Sequence, residues 1–381
     1  MAAAALFPQA AEATPDHADG VIVAMGDGYI SGTAARWQGN SNDWTLSRNG
    51  TDLAWNGYFP IPSDIYGDTN GKCFRSPLGE VAGPKRVAGL GTALPVINIA
   101  CHGATSENIW RGQTGGKWLQ GEQPQSDQLA WVAQNKNVRA ITLSIGAGDV
   151  GLDRILTDCV NAWVYPLQPR CNGAKRGEFT RSLPAAMEKV DKAVQEIRTV
   201  MSAAGYEQND YSLVLQSYPS PLPNSSEINQ PEFGTARTDY GCGMWDADLD
   251  WVDKELIPEL GRQISMVAAS NGADFINMKD ALQGHEVCSK GSRQGSYWWD
   301  TGDNPVLHDN VSEWARFSNT GLLQGEAKES LYPDFFGQQA MAVCLNKYLQ
   351  WGDLTPATDP WYCRSSTKKD SREQSFMPPL N

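Results

Sequence analysis

Few side chains here can move a proton or attack a substrate, and several of them stand in glycine-rich turns. The histidines number four, His17, His102, His285 and His308, so every histidine-dependent mechanism can be checked by exhaustion. His102 lies in Cys101-His102-Gly103, directly after an apolar run. Two other apolar runs lead into Gly26-Asp27-Gly28-Tyr29 and into Gly146-Ala147-Gly148-Asp149, and Glu329-Ser330-Leu331-Tyr332 precedes a helical pattern. The imidazole of His102, the carboxyls of Asp27 and Glu329 and the phenol of Tyr332 are the candidates for acid–base work. An unperturbed phenol titrates near 10, so Tyr332 is a poor base at neutral pH but a serviceable donor or weak acid. His17 falls in an N-terminal leader, while His285 and His308 fall in irregular stretches where surface positions are expected.

The elements that must hold these groups are legible as short apolar runs bounded by Gly, Pro or polar turn residues. Strands are expected at Val21–Met25, Pro95–Ala100, Val138–Ile145, Tyr211–Gln216 and Ala273–Met278. Helical patterns lie between them. Leu183–Ala204 places Met187, Val190, Val194, Ile197 and Met201 on one face, with Pro184 in its first turn and Gly205 as its stop. Trp251–Ala269 reads as a second helix interrupted at Pro258, and Phe336–Leu349 as a third. Alternating strands and helices imply an α/β fold with a parallel sheet covered on both faces. Long irregular stretches are expected at 31–94, 146–180, 217–248 and 285–330. No linker divides the chain, so one domain over 20–363 is expected, between a leader at 1–19 and a loose tail at 364–381.

With 41% hydrophobic residues over 381 positions the chain can bury a sizeable core. Its net charge of −13 argues against a nucleic-acid surface, and no apolar run is long enough for a membrane span. Cysteines number eight, dispersed, without a CxxC or zinc-ligand spacing. No metal or cofactor is therefore expected, and an oxidising, extracytoplasmic compartment is. We take sequential pairing (Cys73–Cys101, Cys159–Cys171, Cys242–Cys288 and Cys344–Cys363), against the alternative of eight buried thiols. Ala11-Glu12-Ala13 resembles an export cleavage site, although a basic start and a full apolar stretch are missing.

Taken in order, several blocks resemble the SGNH/GDSL esterase–lipase family, in its secreted actinobacterial-type form. They are Gly26-Asp27-Gly28-Tyr29-Ile30-Ser31-Gly32 with Arg36-Trp37; Cys73-Phe74-Arg75-Ser76; Asn98-Ile99-Ala100-Cys101-His102-Gly103-Ala104-Thr105; Leu143 through Gly151; and Glu329 through Asp334 with Gly337-Gln338. Gln216-Ser217-Tyr218-Pro219-Ser220-Pro221 matches as well. The resemblance spans roughly 20–350. It implies a flavodoxin-like three-layer α/β/α sandwich with the site at the carboxyl ends of the strands.

In that family the first block carries the nucleophilic Ser where this chain has Gly28, the third an oxyanion Asn where it has Gly148, and the last the basic His where it has Tyr332. Glycine cannot form an acyl-enzyme. In a serine hydrolase, loss of Ser or His alone costs about six orders of magnitude in kcat. The resemblance further implies that Asp27 and Asp149 are structural, that Gly103 stands at the oxyanion glycine, that His102 sits at the pocket rim or, if its loop turns outward, is a structural hydrogen-bonder, and that Glu329 once oriented the missing His. The exchanges imply a pocket made roomier at Gly28 and Gly148, with Tyr29 and Trp37 among its walls. Ser31 is a poor substitute nucleophile because it belongs to the first helical turn.

Three readings stay open. The pocket has been refitted to bind, and transform without an acyl-enzyme, a mostly apolar small molecule by cyclase-, isomerase- or lyase-type catalysis. Alternatively, the protein is a non-catalytic pseudo-esterase that holds an acyl, lipid or glycan ligand or a partner protein, or an inactivated secreted esterase. A monomer acting on a small molecule is expected.

Overall fold

A computed structural model of the chain describes residues 20–41, 51–54, 65–66, 72–165, 168–295, 308–318, 324–351, 360–365 and 375–377. The leader at 1–19 lies outside them. The strands are β1 (Gly20–Gly26), β2 (Val96–Asn98), β3 (Asn137–Ser144), β4 (Ser212–Gln216), β5 (Asp274–Asp280), β6 (Trp361–Arg364) and β7 (Ser375–Met377). They form one sheet in the order β2-β1-β3-β4-β5-β6-β7, parallel except for the last pair. The first strand thus lies next to one edge of the sheet and the strand order reverses at β1, as in doubly wound sheets. Each of the five expected strands is present. The tail, expected to be loose, instead supplies β7, whose backbone pairs antiparallel with Tyr362–Arg364.

Both faces of the sheet are covered, which explains why the strands read as unbroken apolar runs. Val21, Val23, Met25, Leu143, Leu213, Leu215 and Phe275 pack into one large core. It is shared with the helices α2 (Gln125–Asn135), α3 (Leu152–Val164), α4 (Cys171–Ala203), α5 (Asp246–Trp251) and α6 (Ile257–Ser270). Ile22, Ala24, Ala140, Val214, Ile276 and Met278 point the other way, onto α7 (Phe335–Trp351) and a small hairpin at 85–94. This is an α/β/α sandwich.

Four disulfides tie the loops: Cys73–Cys101, Cys159–Cys171, Cys242–Cys288 and Cys344–Cys363. The expectation of an irregular stretch at 146–180 is corrected: α3 and the start of α4 occupy much of it. Leu152, Ile155, Leu156, Cys159, Ala162 and Trp163 are buried at helical spacing, so α3 has its own apolar stripe. α4 begins at Cys171 rather than Leu183 and runs through Pro184. Its start is fixed by Cys159–Cys171 and by the Asp248 carboxylate, which accepts from the amides of Cys171 (3.3 Å) and Asn172 (2.8 Å). Pro258 opens α6 after a π turn at Val252–Leu256, the interruption expected there. Among the described residues no helix is long and apolar enough to cross a membrane.

Candidate functional site

The carboxyl end of β1 sets the geometry. Gly26 has φ +130°, and a Cβ there would lie 2.0 Å from the Ser144 carbonyl oxygen, so only glycine lets β1 and β3 approach this closely. The chain then enters a single helical turn, α1 (Gly28–Ser31), capped by Asp27. The Asp27 carboxylate accepts from the Tyr29 amide at 3.0 Å and from the Tyr218 hydroxyl at 2.7 Å. Burial pushes its pKa up to about 8, against the pull of these two bonds. It is 4% exposed and committed to the loop, so it is withdrawn from the candidate acid–base groups.

A cleft of about 470 Å³ opens above this turn. One wall is α3, which presents two adjacent rows at i, i+4 spacing: Asp153, Thr157, Asn161 and Leu156, Val160, Val164. Facing them are Tyr29, His102, Lys328, Leu331 and Tyr332. The α3 wall therefore carries an apolar row beside a polar one, and at one end of the cleft stand Asp153, His102 and Tyr332. Tyr332 donates its hydroxyl hydrogen to Asp153 Oδ2 at 3.0 Å. Its ring lies 4.6 Å from that of Tyr29, which is itself edge-on to Tyr218 at 4.8 Å. Burial and the Asp153 charge both push the Tyr332 phenol well above its ordinary range, so it is a donor throughout neutral pH. Asp153 is raised by the enclosing cleft and lowered by the Tyr332 bond; as an exposed residue it is screened by solvent, which limits the rise.

His102 shares this end. Its Nδ1 is 3.1 Å from the buried Thr33 hydroxyl, which leaves Nε2 for the cleft. Its ring lies between Phe74 (5.2 Å) and Tyr332 (5.5 Å). Burial, with the Lys328 charge added, lowers its pKa to about 4. The imidazole is neutral at physiological pH.

Of the residues singled out in the sequence, Tyr29, His102 and Tyr332 line the cleft, and the others do not. Gly28 does not widen it, contrary to expectation. A Cβ at 28 would meet His102 Nδ1 at 2.8 Å, the Tyr332 ring at 2.8 Å and Thr33 Oγ1 at 2.9 Å, so those three side chains fill the space. Gly148 is likewise closed in by the Ala104 carbonyl oxygen, 2.9 Å from a Cβ placed there. Gly103 is exposed outside the cleft. Trp37 is a core residue, fully buried with the Arg316 guanidinium 3.7 Å from its ring. Glu329 is turned away from Tyr332: it accepts from the Tyr66 hydroxyl at 2.5 Å and lies 3.7 Å from Arg36. Arg36 in turn pairs with Asp52. Ser31 is buried, its hydroxyl 3.3 Å from the Gly28 carbonyl. Asp149 holds the Ser106 amide and hydroxyl. His285, expected at the surface, is buried and stacked 3.8 Å from Trp314, because its Nδ1 finds the Ser312 carbonyl. His308 is exposed.

Sequence reasoning missed Asp153 and the rest of the α3 wall. The signal was present in the spacing 153/157/161 and 156/160/164, hidden inside a stretch read as irregular. Among the described residues no group of three or more His, Cys, Asp or Glu side chains is arranged to hold a metal ion.

No protein-family model matches the chain, and no curated protein matches it. Among solved structures, phospholipase A1 from Streptomyces albidoflavus NA297 aligns with 84% of this chain and 95% of its own, at 19% identity and a TM-score of 0.48. The extracellular lipase from Streptomyces rimosus aligns with 84% of this chain and 94% of its own, at 16% identity and a TM-score of 0.43. Axe2, an acetylxylan esterase from Geobacillus stearothermophilus, covers 90% and 99% at 12% identity and a TM-score of 0.33. With its parallel sheet and motif residues at the strand ends the chain resembles the SGNH/GDSL esterases and lipases.

Proposed function

We propose that this protein binds a small, mostly apolar molecule in the cleft between α3 and the Tyr332 loop and transforms it by acid–base catalysis without a covalent acyl intermediate. The observation that carries this reading is the Tyr332–Asp153 hydrogen bond in a cleft whose α3 wall offers the apolar row Leu156, Val160 and Val164. Ordinary ester hydrolysis fits poorly: Gly28 offers no nucleophile, Ser31 is buried, and His102 and Tyr332 fill the space a nucleophile would need. A ligand of this shape would lay its apolar body along Leu156, Val160 and Val164 and its polar atoms against Tyr332, His102 and Asp153. We read residues 20–363 as one domain of a secreted protein, a compartment that suits four disulfides.

Native mass spectrometry of the protein as purified, with an ester panel alongside, tests the reading. A co-purified or added apolar ligand that is displaced by Val160→Trp, with no turnover of p-nitrophenyl esters, is expected. Ester turnover abolished by Ser31→Ala would sink it. Ligand held tightly but recovered unchanged would favour the non-catalytic binder instead.

A further inference from the structure

Among the described residues the Tyr29 hydroxyl finds no partner. The residue is 1% exposed and its ring is clamped between Tyr218 and Tyr332, yet it lines the cleft and no hydrogen bond is made by its hydroxyl to the described residues. That hydroxyl is not sealed off from the cleft, so water there, or a ligand that displaces it, is its partner. The carboxyl groups near this phenol are Asp153 and Asp27, and of these Asp27 is sealed beneath the turn. Asp153 opens onto the cleft with Oδ2 engaged by Tyr332 and Oδ1 without a partner among the described residues. A fixed neutral donor and a fixed proton acceptor therefore face one space.

Resting on the reading of the cleft given above, we propose that the substrate is an enolisable carbonyl compound, with Asp153 as the base that removes the proton beside the carbonyl and Tyr29 as the donor that holds the carbonyl oxygen. In the step, Asp153 Oδ1 takes a proton from the carbon next to the carbonyl. The C–H electron pair becomes the carbon–carbon double bond of the enolate, and the carbonyl π pair moves onto oxygen, where the Tyr29 hydroxyl meets it. The Asp153 acid then returns the proton, to the same carbon or to the far end of a conjugated system. The sequence is redox-neutral and needs no co-reactant. Tyr332 keeps the carboxyl oriented, and Leu156 and Val160 exclude water from one side of the reacting carbon.

The test uses the full chain and 2-tetralone as probe. Saturation-transfer NMR reads binding, and loss of the proton signals next to the carbonyl in D₂O reads exchange. The bound ketone is expected to exchange faster than in buffer containing an equal concentration of acetate. Asp153→Asn should remove that acceleration by about 10²-fold or more while the ketone still binds. Tyr29→Phe, which removes one oxygen and no packing atom, should slow exchange about 10²-fold. A ketone that binds but exchanges at the buffer rate, or an Asp153→Asn variant that exchanges like the wild type, overturns the assignment and leaves the binding cleft standing. A ketone that does not bind overturns both.

Discussion

Tyr332 hands its hydroxyl hydrogen to Asp153 across 3.0 Å, joining the turn before α7 to the first turn of α3. The bond stabilises the ionised carboxylate and opposes the effect of the enclosing cleft. Tyr332→Phe should therefore raise the Asp153 pKa and cost about 1 kcal/mol of stability. Carboxyl ¹³C NMR titration of the two proteins checks this. An unchanged or lowered Asp153 pKa would show that the bond is absent in solution.

Gly28→Ser should not create an esterase. The added Cβ would stand 2.8–2.9 Å from His102 Nδ1, the Tyr332 ring and Thr33 Oγ1, and overpacking of this kind costs typically 1–3 kcal/mol. A Cβ at Gly148 meets the Ala104 backbone, which cannot step aside as a side chain can. The combined variant Gly28→Ser, Gly148→Asn, Tyr332→His is thus expected to melt several degrees lower and to leave p-nitrophenyl acetate intact. Hydrolysis at a rate typical of an esterase would mean that the chain is a recently inactivated enzyme whose pocket was never refitted.

The sheet was legible because parallel strands buried on both faces read as near-continuous apolar runs, as Val21–Met25 in β1 and Leu213–Leu215 in β4 do. Turn residues were legible for a similar reason: the positive φ of Gly26 and the cap made by Asp27 leave their mark as Gly-Asp-Gly. Side-chain direction was not. Glu329 lies three residues before Tyr332, yet it points to Tyr66 and Arg36, and nothing in the spacing reveals partners so distant in the chain. Removing side chains at Gly28 and Gly148 suggested a larger pocket, but close packing fills such spaces from the neighbours. Here His102, Thr33 and Tyr332 moved in. Asp153 escaped notice because its helix was hidden by Gly, Pro and Cys residues around it.

Glu80 should make the fold less stable as pH rises. It is fully buried, with Oε1 accepting from Gln216 at 2.8 Å and Oε2 unpartnered, and burial pushes its pKa from 4.5 up to about 7. The native state thus holds this proton more tightly than the unfolded chain. Its contribution is fully present below about pH 4.5, declines from there to pH 7 and is gone above. Glu80→Gln, which keeps the acceptor for Gln216, should stabilise the fold at pH 8.5 relative to the wild type by on the order of 3 kcal/mol at most, seen as a higher Tm, and change little at pH 4. Thermal melts of both proteins across that range decide the matter; parallel curves would place the Glu80 pKa near its ordinary value.

His102 carries the opposite sign. Burial first, and the Lys328 charge second, lower its pKa from 6.5 to about 4, so the native imidazole resists protonation that the unfolded chain accepts. The stability it contributes is complete above about pH 6.5 and is lost as pH falls toward 4. Its ring proton resonances should accordingly stay fixed between pH 5.5 and 8 and move only in more acid solution. Lys328 is exposed and sits 4.1 Å above the Phe74 ring, beside the imidazole, so Lys328→Gln removes the charge without opening the core. That variant should raise the His102 pKa, by less than burial lowers it. Ligand affinity that depends on a neutral His102 should then begin to fall at a higher pH in Lys328→Gln than in the wild type. A His102 that titrates near 6.5 in the wild type would mean the ring is open to solvent, and with it the polar end of the cleft.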